Sequence, residues 1–76
     1  MNPETMTSLV AGMTIAIGTM LPAIAIGLIG KEAVRSIARN PDAGERVQLT
    51  ALVLVAFAEA LGIYALVMAL VIKFVK

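Results

Sequence analysis

Two long apolar runs, separated by a charged stretch, set the pattern of this chain. The first runs from Leu9 to Gly30 without a charge. The second runs from Val47 to Ile72 and is apolar apart from Gln48, Thr50 and Tyr64, with Glu59 its only charge. A helix rises about 1.5 Å per residue, so the second run spans roughly 39 Å and each run is long enough to cross a hydrocarbon core of about 30 Å. Between them lie Lys31, Glu32, Arg35, Arg39, Asp42, Glu45 and Arg46. The first helix can continue through Ala33, Val34, Ile37 and Ala38 until Asn40-Pro41 stops it, and Asp42-Ala43-Gly44 completes strong turn chemistry. At the other end, Asn2-Pro3-Glu4 suits a helix opening: a capping side chain, a proline at the first helical position, and an acid at the positive end of the helix dipole. The pattern predicts an all-α membrane protein. It is a single transmembrane hairpin over residues 1–76, with helix 1 at about 4–39, a polar loop at about 40–45 and helix 2 at about 46–75.

The small residues of helix 1 form two stripes. At 100° per residue, Gly12, Ala16, Thr19, Ala23, Gly27 and Gly30 fall within about 80°, and Ala11, Gly18, Pro22 and Ala25 fall within a separate sector of about 60°. Bulky residues such as Val10, Ile17, Leu21 and Leu28 fill the far side. One small stripe lets one helix approach closely, so two stripes predict neighbours on two flanks. Pro22 removes a backbone donor mid-helix and is expected to bend it. Helix 2 carries one stripe, Ala51, Ala58, Gly62, Ala65 and Ala69, within about 60°, which is expected to pack on helix 1.

Composition narrows the function. Of 76 residues, 61% are hydrophobic and 14% charged, and the mean hydropathy is +0.99, too apolar for a soluble domain of this size. There is no Cys and no His, which removes disulfides, thiolate chemistry and histidine-based metal sites or catalysis. A net charge of +1 and the lack of Trp argue against a nucleic-acid binder. No phosphate loop or nucleophile motif is present, so no catalytic residue, cofactor or metal is expected on this chain. The first run has no basic residue before Lys31 and is longer than a signal-peptide core, so it is read as a retained helix. The loop region holds Lys31, Arg35, Arg39 and Arg46, against Lys73 and Lys76 near the end of the chain. The positive-inside rule then places the loop in the cytoplasm and both termini outside. The two terminal lysines read as snorkelling anchors. The charged loop reads equally as a solvated turn or as a docking surface.

Glu59 is the residue the rest must serve. A charged side chain near the bilayer midplane costs about 2.5–3.5 kcal/mol on insertion scales, so a stability argument would place Leu here. An intramembrane acid is read first as an ion or proton site. Phe57, Ala60 and Tyr64 lie on the opposite flank, about 100–160° from Glu59, so Tyr64 reaches the Glu59 of a neighbouring copy rather than its own. Identical hairpins joined flank to flank make a head-to-tail contact that closes into a homo-oligomeric ring when the rotation permits. In such a ring helix 1 is the inner helix and helix 2 the outer one. Lipid surroundings favour the neutral carboxyl, whereas an approaching Arg or a water-filled channel favours the charged form. A group switched this way takes up a proton on one side and releases it on the other.

These features resemble the proteolipid, or c-subunit, of the F-type rotary ATP synthase. The resemblance covers essentially the whole chain. It rests on Ala38-Arg39-Asn40-Pro41-Asp42, on the acid within Phe57-Ala58-Glu59-Ala60, on Gly62-Ile63-Tyr64, and on Ala23-Ile24-Ala25-Ile26-Gly27. The separation of Arg39 from Glu59 matches the family. It implies a ring of identical copies turning against the stator a-subunit, whose Arg releases the proton from Glu59. It also implies a loop, Arg39, Asn40, Pro41 and Asp42, that grips the gamma and epsilon proteins of the central stalk. The chain would then be a non-catalytic, proton-carrying part of the ATP synthase membrane sector, in contact with membrane lipids. With no sign of an organelle transit peptide, a bacterial plasma membrane is the expected location.

Sodium-binding members of the family carry a Gln where this chain has Ile26, and hydroxyls where it has Ala60 and often Leu61. What remains is Glu59, the backbone carbonyl of Phe57 and the hydroxyl of Tyr64, enough to hold a protonated carboxyl. The expectation is therefore a proton-coupled ring, with a sodium-coupled ring or a small proton-coupled transporter as the alternatives. Departures from the family are Ala23 and Ala25 where Gly is common, the larger Thr19 and Leu21, and Asn40 where many members have Gln.

Overall fold

Asn2 opens the first helix. In the computed structural model, which describes residues 1–75, its Oδ1 accepts a hydrogen bond from the Thr5 backbone N–H at 2.7 Å. Pro3 occupies the first helical turn, where its missing donor costs nothing, and Glu4 sits at the positive end of the dipole. Helix α1 then runs unbroken from Pro3–Arg39. Pro22 lies inside it without ending it. Thr7, Thr14 and Thr19 return their hydroxyls to the carbonyls of Pro3, Val10 and Ile15 at 2.7–2.8 Å. Each hydroxyl is thereby satisfied inside its own helix, which is what makes it tolerable in lipid.

The helix stops at Asn40. Its backbone leaves the helical region, at φ −143°, ψ 82°, as the clash with a following proline requires. Its N–H still reaches the Ser36 carbonyl. Pro41–Ala43 make one turn of 3-10 helix, and helix α2 runs from Gly44–Phe74. The loop uses no positive φ. Gly44 is helical, at φ −53°, and a Cβ on it would meet Cγ2 of Ile37 at 3.6 Å, an ordinary van der Waals contact, so neither conformation nor space demands glycine there.

The helices pack side by side along their length. On α2 the covered positions are Val47, Ala51, Val55, Ala58, Gly62, Ala65, Ala69 and Ile72, alternating by four and three residues as a two-helix seam requires. The small stripe of α2 therefore faces α1, as the spacing predicts. On α1 the seam is Ala11, Gly18, Pro22, Ala25, Ile29, Ala33 and Ser36. Of the two small stripes on this helix, the one holding Gly18 and Pro22 packs on α2.

Only Ala11, Ala58 and Ala69 are buried among the described residues. A seam of alanine and glycine brings backbones together without building an apolar core. The molecule measures 58 × 18 × 7 Å with a radius of gyration of 17.4 Å, against about 11 Å for a compact chain of this length. Its accessible surface is 5878 Å², whereas a compact soluble fold of this mass would expose about 4400 Å². Both helices are long and apolar enough to cross a membrane, and the 58 Å length leaves both ends outside a hydrocarbon core of about 30 Å. Lys76, read as an end anchor, lies outside the described residues.

Candidate functional site

Glu59 is the central residue of α2, fifteen residues from Gly44 and fifteen from Phe74. That puts it about 22 Å from each helix end, at the middle of the span. It is exposed, and no described residue gives it a hydrogen bond or an ion pair.

The inter-helix contacts fix what lies beside it. Gly18 faces Ala65, Thr19 faces Gly62, and Ile37 faces Gly44. At the terminal end the Lys73 ammonium donates to the Ser8 hydroxyl, which itself donates to the Glu4 carbonyl at 3.1 Å. These pairs share one constant antiparallel register, which sets Glu59 level with Pro22 and Ala23. Lys73 is thus more than the end anchor its position suggests, since it also ties the two helices together.

The same contacts assign the two edges of the hairpin. Thr19 with Gly62 and Ser8 with Lys73 lie on the edge that also carries Glu59. On α1 that edge presents the second small stripe. Gly12, Ala16, Ala23 and Gly27 lie there, and Gly12, Gly27 and Gly30 have open space where a Cβ would stand. The acid and an unfilled close-approach surface therefore share one side. The opposite edge is bulky: Phe57 and Tyr64 are each 69% exposed, Leu61 60% and Leu28 59%. Phe57 and Tyr64, two turns apart, stand together on that edge and away from Glu59 of the same chain. One edge is recessed and acidic, the other protruding and aromatic.

The loop residues Arg39, Asn40, Pro41 and Asp42 are all exposed at the end opposite the termini. The Asn40 side chain makes no capping hydrogen bond there. Nearby, Arg35 pairs with Glu32 at 3.4 Å, with both side chains more than half exposed, a contact worth little by itself. Among the described residues no group of three or more carboxylate, His or Cys side chains is placed to hold a metal. Two features are not predicted by the residue pattern: the Ser8–Lys73 link and a groove at the loop end between α1 and α2. Each joins segments distant in the chain, and only the register reveals them.

The sequence profile of the ATP synthase C-subunit family matches residues 9–72, both apolar runs and the loop together. The chain belongs to that family. It is 37% identical over 75 residues to the ATP synthase c-subunit of Dehalococcoides mccartyi, covering 99% of both chains. It is 43% identical over 74 residues to ATP synthase c-subunit 1 of Pelobacter propionicus, covering 97% of this chain and 81% of that one. Against the ATP synthase c-subunit of Geotalea uraniireducens the identity is 43% over 70 residues, with 92% and 77% covered. In this member of the c-subunit family, the matched region takes in the mid-span acid, the open small stripe and the aromatic edge.

Proposed function

We propose that this chain is a rotor-ring protein in the membrane sector of an F-type ATP synthase, in a bacterial membrane, and that it carries protons by reversible protonation of Glu59. Family membership supports the role in the complex. The observation that carries the mechanism is the position of Glu59: mid-span, without a partner in its own hairpin among the described residues, on an edge shaped for close approach. A lone acid there has a cost and no structural return. Against the aromatic edge of a neighbouring copy, the protonated carboxyl gains the free lone pair of the Phe57 carbonyl and the Tyr64 hydroxyl as partners. Its charged form is favoured only where water or the Arg of the stator a-subunit reaches the ring.

Each charge moved through 100 mV is worth about 2.3 kcal/mol, and the chain itself performs no ATP chemistry. The loop, Arg39 to Asp42, is the surface for the gamma and epsilon proteins of the central stalk, facing the cytoplasm, with both termini outside. Proton rather than sodium coupling is favoured by Ile26, Ala60 and Leu61, which offer no side-chain oxygen beside Glu59.

The test is labelling of Glu59 by a hydrophobic carbodiimide in the detergent-purified oligomer. The reagent attacks only the protonated carboxyl, so labelling should be fast at low pH, fall as pH rises, and ignore millimolar sodium. Protection by sodium would replace the proton reading with a cation site. An unreactive Glu59 would remove the ion-carrying role.

A further inference from the structure

A groove of about 710 Å³ lies at the loop end of the hairpin, between α1 and α2. Leu28, Ile29, Val47 and Leu54 give it apolar walls, with Thr50 and Arg46 on its α2 rim and Glu32, which pairs with Arg35, on its α1 rim. It opens on the aromatic edge, because Thr50, Phe57 and Tyr64 follow one another at seven-residue steps. Arg46 is exposed, and no described carboxylate pairs with it.

The other edge of the molecule has the matching relief. Glu45, Leu52 and Glu59 also follow at seven-residue steps, so Glu45 and Leu52 share the acid's edge. Val34 stands one turn beyond Gly30 on the open stripe of α1, and it is 70% exposed. By the hairpin register Val34 is level with Gln48, within about 3 Å in height of Thr50. An acid and two exposed apolar side chains therefore sit on one edge, at the height where the other edge has, among the described residues, an unpaired base, Arg46, and an apolar hollow whose one acid, Glu32, is already paired with Arg35.

We infer that this groove is the seat of a second copy of the chain: Val34 and Leu52 of the neighbouring copy fill it, and the neighbour's Glu45 pairs with Arg46. The inference rests on the head-to-tail ring reading. It adds a second contact, about 20 Å toward the loop from Glu59, on the same pair of edges and at a matching height. Bringing the Glu59 edge of one copy against the Tyr64 edge of the next brings Glu45 toward Arg46, since both pairs lie on the same two lines of α2. The contact orients the loop end of each copy on its neighbour, outside the proton site.

The chain contains no cysteine, so introduced thiols report without background. Val34→Cys with Thr50→Cys in one chain places a thiol on each edge at nearly one height. Oxidation of the membrane-embedded oligomer should convert it to a ladder of disulfide-linked multimers in SDS. The single variants, with one thiol per chain, provide the reference, since they cannot extend past dimers. Separately, Glu45→Arg or Arg46→Glu should lower the dissociation temperature of the oligomer, and the two together should restore it. An intact oligomer of the unsubstituted chain with no ladder overturns the docking inference and leaves the ring reading standing. So does a phospholipid retained at one per chain, seen by native mass spectrometry, in place of cross-linking. A charge-exchanged double variant no firmer than the singles overturns the Glu45–Arg46 pairing. An unsubstituted chain that runs only as single hairpins removes the ring reading, and this inference with it.

Discussion

A Cβ placed on Gly18 would stand 2.5 Å from the Cβ of Ala65, closer than two carbon atoms can sit without something moving. The neighbour is the stiff, backbone-attached Cβ of an alanine and not the flexible end of a long side chain. At this point the seam has no room for a methyl group. Gly18→Ala is expected to push the helices apart at a cost of about 1–3 kcal/mol. Ala65→Gly in the same chain should recover most of it. Thermal dissociation of the purified oligomer, read as a double-mutant cycle, measures the coupling. Additive losses would show that the two positions do not touch.

Gly27 is the opposite case. Nothing lies within 4 Å of where its Cβ would be, so the hairpin alone accepts a large residue there. Gly27→Leu should leave helix content unchanged by circular dichroism while abolishing the large oligomer on native gels. If the oligomer persists at its normal size, the open stripe is a lipid face and not a contact between copies.

Glu59→Gln removes a group whose burial as a charge costs about 2.5–3.5 kcal/mol and keeps nearly its shape. The oligomer should be at least as heat-stable as the parent. Carbodiimide incorporation, proton flux through the membrane sector and ATP synthesis should all fall to background. An oligomer that falls apart on this substitution would make the acid a structural partner instead.

Tyr64→Phe keeps the aromatic ring and deletes the hydroxyl. One hydrogen bond is worth about 0.5–1.5 kcal/mol, which corresponds to about a 2- to 10-fold change in the carbodiimide reaction rate of Glu59. The rate should rise, because the carboxyl is less firmly held against the neighbouring copy. A rate equal to the parent's would remove Tyr64 from the site and leave it as edge packing.

The hairpin was legible because each of its determinants is local. An apolar run announces a spanning helix by its length, Asn40-Pro41 ends one by a steric rule, and Glu59 stands out as the single charge in its run. The α2 seam was legible for a related reason, since a lone stripe of Ala and Gly has only one use. What could not be read was which stripe of α1 receives α2. The stripe with Gly12 and Gly27 and the stripe with Gly18 and Pro22 are alike in size and hydropathy, and helical spacing treats them equally. The choice is made by rotation across the three-residue turn, Pro41–Ala43, which seats Gly44 against Ile37. The loop-end groove was hidden for the same reason, because its walls come from positions about twenty residues apart that meet only once the register is set.

The seam has a mechanical consequence. Alanine and glycine carry no side-chain rotamers, so contacts such as Gly18–Ala65 have no slack to take up when the hairpin is loaded. Longer side chains would yield by rotating about their χ angles before the backbone moved, and the hairpin would behave as a compliant spring. Here a sideways force on Arg39 to Asp42 meets two continuous helices in contact along their length. The pair is stiffest around the level of Glu59, where Gly18, Pro22 and Ala25 meet Ala58, Gly62 and Ala65, and it yields first toward the loop, where Val47, Val55 and Ile29 enter the seam.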